Sequence, residues 1–130
     1  MTPYQKLKHV ILIKSIELGD IQPIEEQINS DNIDSLFDEN NDDGYLQDAM
    51  QEIRSGEVET DIPAPYSRHY ESNSVAMKTP DGSWIGWTYW YGGGKHGEPE
   101  AIDWMEEAYD LSCKEEEKVV IVRTFEKVEE

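Results

Sequence analysis

The chain has 130 residues, 37% of them apolar and 10% aromatic, and its 29 acids against 11 bases leave a formal charge of −18. That length fits one domain, which buries roughly two thirds of its unfolded surface, and four Trp with seven Tyr supply bulky core material that excludes global disorder. No stretch approaches the roughly 18 apolar residues of a membrane span, no basic-then-apolar leader opens the chain, and the single Cys113 allows no internal disulfide; a cytoplasmic setting is expected.

The N-terminus predicts a helix. Thr2, Pro3 and Gln5 stand where an N-cap, a first-turn proline and a capping-box partner belong, and Tyr4, Leu7, Val10, Ile11 and Leu18 recur at helical spacing up to Gly19. The β-branched run Val10 to Ile13 also suits a buried strand. Pro23 predicts a short second helix through Ile28, with Glu25 and Glu26 in its first turn, and Ser30-Asp31 caps a third carrying Ile33, Leu36 and Phe37. Asp38 to Gly44 reads as a polar loop. Tyr45, Leu46, Ala49, Met50 and Ile53 then form a helical stripe ended by Gly56.

Glu57 to Pro65, with Pro63 and Pro65, reads as an extended connector. Beyond it, Ser74–Thr79 and Trp84–Tyr91 flank Pro80-Asp81-Gly82, a turn that joins proline's fixed φ to glycine's tolerance of positive φ, and so predicts a β-hairpin. Gly92-Gly93-Gly94 breaks the second strand, Glu98-Pro99 opens a helix carrying Ala101, Ile102, Met105, Ala108 and Tyr109, and Val119 to Phe125 closes the chain as a β-branched strand. This order predicts one α+β domain over residues 1–130, a helical N-terminal half packed on a small antiparallel sheet of hairpin, helix and strand.

The charge is uneven. Thr2 to Ile16 carry three bases and no acid, Glu17 to Asp61 fifteen acids against Arg54 alone, and Ile62 to Glu130 fourteen acids against seven bases. Such a field repels phosphate backbones, so direct nucleic-acid binding is not expected, and it steers basic partners toward the middle third. Acidity of this kind also serves solubility alone.

Three segments have residues that suggest chemistry. Glu39, Asn41 and Asp43 fall at the ligand spacing of a calcium loop with Gly44 at its turn, but the loop opens on Glu39 rather than Asp and has Met50 where a bidentate Glu must close the shell. No metal and no cofactor is expected. Lys95, His96 and Glu98 follow the glycine triplet, where a proton-transfer pair or an anion-holding loop would sit; the same residues also suit a plain strand-to-helix turn. Strand alternation places Trp84, Gly86, Thr88 and Trp90 on one face and Ile85, Trp87, Tyr89 and Tyr91 on the other. One aromatic face must meet the helices; the second is covered or forms a recognition patch, with Trp87 and Tyr89 as candidate anchors.

The run Gly82-Ser83-Trp84-Ile85-Gly86-Trp87-Thr88-Tyr89-Trp90-Tyr91 and its continuation through Gly92-Gly93-Gly94 to Trp104, within Asp81 to Asp110, resembles uncharacterised small acidic proteins of bacteria and their mobile elements. The resemblance covers at most the C-terminal half, transfers no functional residue, and implies a bacterial or phage setting. In charge and size the chain is also similar to acidic inhibitors that imitate DNA.

The expected function is therefore non-enzymatic: Asp31, Asp34, Asp38, Glu39, Asp42, Asp43 and Asp48 offer carboxylates to a basic, nucleic-acid-handling protein, as an inhibitor or DNA mimic would. Two alternatives stand beside it: a small-molecule or catalytic site at the Gly92–Glu100 loop beside the aromatic hairpin, and a structural homodimer formed through an exposed aromatic edge.

Overall fold

The computed structural model describes residues 1–129 and has three helices, α1 (Pro3–Glu17), α2 (Ile33–Asn40) and α3 (Gln47–Arg54), followed by four strands, β1 (Val58–Glu59), β2 (Glu71–Lys78), β3 (Trp84–Tyr91) and β4 (Tyr109–Leu111). The strands pair antiparallel in the order β1-β2-β3-β4, so the chain is α+β with its helices first.

At the head of α1 the Thr2 hydroxyl accepts from the Gln5 N–H at 3.2 Å while the Gln5 side chain accepts from the Thr2 N–H at 2.9 Å. This reciprocal cap answers two of the four donors that a helix start leaves open. The cap, with no breaker until Gly19, settles Val10–Ile13 as helix. Leu7, Ile11, Leu12 and Ser15 turn inward, while Leu18 stays outside the core. They meet Ile33, Leu36 and Phe37 of α2, Leu46, Ala49 and Ile53 around α3, and Val75, Ile85 and Trp87 of the sheet.

Three lysines of α1 fasten it to the other elements: Lys6 to Asp110 of β4 at 2.9 Å, Lys8 to Asp34 of α2 at 2.9 Å, and Lys14 to Glu52 of α3 at 3.1 Å. The basic N-terminal segment is thus spent on internal pairing.

The hairpin is the longest pairing in the sheet, running from Glu71↔Tyr91 to Lys78↔Trp84. Its turn is closed by Gly82 N–H to Thr79 C=O at 2.9 Å and Thr79 N–H to Ser83 C=O at 2.8 Å, with Gly82 at φ 87°. Inside it the Asp81 carboxylate accepts from the hydroxyls of Thr79 and Ser83 and from the Ser83 N–H.

Five expectations are corrected. The segment from Pro23 to Ile28 is irregular, since six residues cannot repay helix nucleation and Ile21, Ile24 and Ile28 reach the core without it. The start of α2 is set by an Asn29–Asn32 turn rather than by Ser30-Asp31: Asn29 Oδ1 accepts from the N–H groups of Asp31 and Asn32, and Asn32 Oδ1 from that of Asn29. Asp38, Glu39 and Asn40 belong to α2, not to a loop. The expected helix from Glu98 shrinks to a single 3-10 turn, Pro99–Ala101. There Trp104 is drawn inward against Trp87, with ring centroids 5.4 Å apart, and Tyr109 is committed to β4 opposite Gly86; both contacts override a weak helical preference. Finally, Val119 to Phe125 is not a strand: the segment is exposed and pairs with nothing among the described residues.

Candidate functional site

The acidic candidates gather on α2, α3 and the turn between them. Asp34, Asp38 and Glu39 lie on α2, Asp42 and Asp43 in the turn at Gly44 (φ 77°), Asp48 in the first turn of α3, and Asp31 just before α2; all seven are exposed. Asp34 and Asp38, four residues apart, share one helical stripe, so two like charges stack. Only Asp34 is neutralised: Lys8 and Gln5 hydrogen-bond its carboxylate and, in that order, hold it below the ordinary carboxylate range. None of the other six has an ion-pair partner among the described residues.

Arg54, the sole base between Glu17 and Asp61, gives no relief. Its guanidinium turns under the sheet, donating to the Trp90 carbonyl at 2.6 Å and lying 5.0 Å from the Tyr89 ring. The acidic face therefore keeps its field into solvent.

The calcium-loop spacing of Glu39, Asn41 and Asp43 falls across the end of α2 and the turn after it. Glu39 and Asn40 are helical, Asn40 Nδ2 donates back to the Leu36 carbonyl at 2.7 Å, and among the described residues no three His, Cys, Asp or Glu side chains converge on a metal position.

Of the aromatic candidates, Trp87 is corrected outright. It is fully buried, packed against Trp104 with the two rings tilted by 44°, with its indole N–H on the Arg54 carbonyl at 2.8 Å, and it presents nothing to a partner. Tyr89 is half-buried between Arg54 and Tyr91, whose ring lies 5.3 Å away. The face with Ile85, Trp87 and Tyr89 meets the helices; Trp84 and Trp90 on the opposite face are half-buried.

At the glycine loop, Lys95, His96 and Glu98 are exposed, and no hydrogen bond joins His96 to Glu98. The loop is instead shaped by Tyr70, whose hydroxyl accepts from the Glu98 N–H at 3.2 Å and whose ring lies so close to Gly93 that a Cβ there would come within 2.5 Å of it. Gly93 also has φ 89° and touches Gly97, which explains why glycine recurs here. The cavity of this region, about 860 Å³, lies beside Gly92–Gly94 and is lined by Tyr66, Arg68, His69, Tyr70 and Tyr91; His96 does not line it. Sequence reasoning missed this set because Tyr66 to Tyr70 sit in an irregular connector with no periodicity, although an Arg-His pair in an acidic chain was a signal.

A smaller cavity of about 370 Å³ lies between α1 and the hairpin turn, lined by His9, Lys6, Thr79 and Asp81. Burial pushes the His9 imidazole below its ordinary value, with Asp81 opposing.

No helix among the described residues is long and apolar enough to cross a membrane. Comparison with protein-family models, curated proteins and solved structures found no match to this chain.

Proposed function

We propose that the chain is a non-enzymatic acidic interaction protein whose α2–α3 face binds a basic, nucleic-acid-handling partner, in the manner of an inhibitor or DNA mimic. The observation that carries this reading is the inward turn of Arg54, which leaves Asp38, Glu39, Asp42, Asp43 and Asp48 exposed without a cation beside them. A field concentrated on one face costs stability through self-repulsion and speeds encounter with a positive surface. The test is capture of bacterial lysate proteins by the wild type and by a variant with Asp38→Asn, Asp42→Asn, Asp43→Asn and Asp48→Asn, at low and high salt and with competing duplex DNA. A basic protein held by the wild type, released by salt and by DNA, and lost by the variant is expected. Equal capture by both chains overturns the reading.

A second reading rests on the cavity beside Gly92–Gly94, where Arg68 and His69 stand among Tyr66, Tyr70 and Tyr91. A guanidinium and an imidazole framed by aromatic rings suit a small aromatic anion. NMR titration with an anionic aromatic fragment set should shift the amides of residues 66–71 and 91–94, and the shifts should vanish in Arg68→Ala; fragments that leave those amides unmoved overturn it.

A further inference from the structure

We infer that residues 118–127 form an exchange strand that adds to the open β4 edge of a second copy of this chain, so that two copies swap their C-terminal segments reciprocally.

The first observation is an apolar run without cover. Val119, Val120, Ile121, Val122 and Phe125 are exposed by 99, 76, 75, 84 and 86%. A contiguous β-branched stretch of this kind is the type that pairs with a sheet edge. Nothing in its own chain covers it: after Leu111 the chain leaves the sheet through Ser112 to Glu117, all exposed, and does not return to it.

The second observation is an edge with room. β4 is terminal in the sheet and covers only Trp84, Ile85 and Gly86 of β3. On the sheet face away from the helices, Val58, Ala76, Gly86 and Tyr109 form a row across all four strands, flanked by Trp84 and Leu111. Gly86 has no side chain because Tyr109 and Leu111 close over it, each within 2.8 Å of where a Cβ would sit. A strand laid beside β4 extends that apolar row by the side chains of Val119 and Ile121, or of Val120 and Val122, according to register.

Charge selects the occupant. Residues 118–127 hold Lys118, Arg123 and Lys127 against Glu126 alone, a basic strand in a chain of net −18. The approach to the β4 edge is acidic: exposed Asp103, Glu106 and Glu107 lead into it with no ion-pair partner among the described residues, while Asp110 on the strand itself is paired with Lys6. A second copy presents this acidic apolar edge to the tail and receives an identical tail in return, a closed two-fold arrangement that leaves neither edge open.

The test uses the full chain with Cys113→Ser, which removes disulfide dimers as a cause. Light scattering over a range of concentrations should give twice the 15.0 kDa chain mass, and hydrogen exchange should show residues 119–125 protected in the dimer. Val120→Asp with Ile121→Asp, one substitution on each face of the strand and both at exposed positions where folding is not at stake, should weaken dimerisation by at least about tenfold and leave the near-ultraviolet signal of the buried Trp87 unchanged. A monomer at every concentration overturns the proposal, whether its tail amides exchange freely or are protected by folding back on their own β4 edge. A dimer that survives the double substitution overturns it as well.

Discussion

Trp87 and Arg54 hold each other at both ends: the indole N–H of Trp87 donates to the Arg54 carbonyl at 2.8 Å, and the Arg54 guanidinium donates to the carbonyl of Trp90, three residues further along the same strand. The last turn of α3 is thereby stitched to β3 through the core. Trp87→Phe leaves the Arg54 carbonyl without its donor and should cost about 1–3 kcal/mol, whereas Trp87→Ala also opens a cavity against Trp104 and should cost about 3–5 kcal/mol. Urea denaturation monitored by circular dichroism measures both.

Gly56 and Gly82 separate two reasons for glycine. Both have positive φ, 75° and 87°, but a Cβ at Gly56 would lie 2.6 Å from the Cβ of Val75, while at Gly82 it meets open space. Gly82→Ala should cost about 1–2 kcal/mol through backbone strain alone. Gly56→Ala carries that cost and a clash with a buried strand, and should exceed it by about 1–3 kcal/mol. Equal denaturation midpoints for the two variants would refute the distinction.

Acid should act on the hairpin turn. Hydrogen bonds from the Ser83 hydroxyl, then the Thr79 hydroxyl and the Ser83 N–H, hold the Asp81 carboxyl far below its ordinary 3.8. A depressed carboxyl stabilises the fold at pH above its unfolded value and loses that contribution as pH falls below 3.8 toward its folded value. Asp81→Asn should therefore be less stable than wild type near neutrality, and the gap should close as the pH drops below 3.8. A gap independent of pH, followed by thermal melts at a series of pH values, would argue that the carboxylate's charge is irrelevant.

Salt should stabilise the protein. Unpaired carboxylates on α2 and α3 repel one another across distances that physiological salt, with its Debye length of about 8 Å, begins to screen. Adding sodium chloride should raise the melting temperature by a few degrees, on the order of 1 kcal/mol, and the variant neutralised at Asp38, Asp42 and Asp43 should respond less. Scanning calorimetry across salt concentrations distinguishes the two slopes.

Much of the fold was legible because local chemistry and tertiary packing agree there. Thr2, Pro3 and Gln5 specify the start of α1 unaided, and Pro80-Asp81-Gly82 specifies the hairpin turn. Where the two disagree, packing prevails. Ala101, Met105 and Ala108 have helical spacing, yet the segment opens so that Trp104 can reach Trp87. The acidic face could be located from residue counts alone, but its lack of neutralisation could not, since that depends on where Arg54 and the α1 lysines point. Trp87 misled for a related reason: alternation names two faces of a strand without saying which one is inside. The Tyr66–Tyr70 cavity wall lies in irregular chain and becomes visible only when Tyr70 is seen against Gly93.

The sheet is a simple meander in which every strand pairs with its neighbour in the chain. During synthesis, each strand after the first therefore finds a partner already emerged, and no pairing waits for a distant segment. The apolar sides of α1, α2 and α3 emerge earlier and can gather around Leu7, Ile11, Leu36 and Leu46 before the hairpin that completes their core exists. Assembly can thus proceed from the first helix onward, with β3 as the step that locks the two layers together.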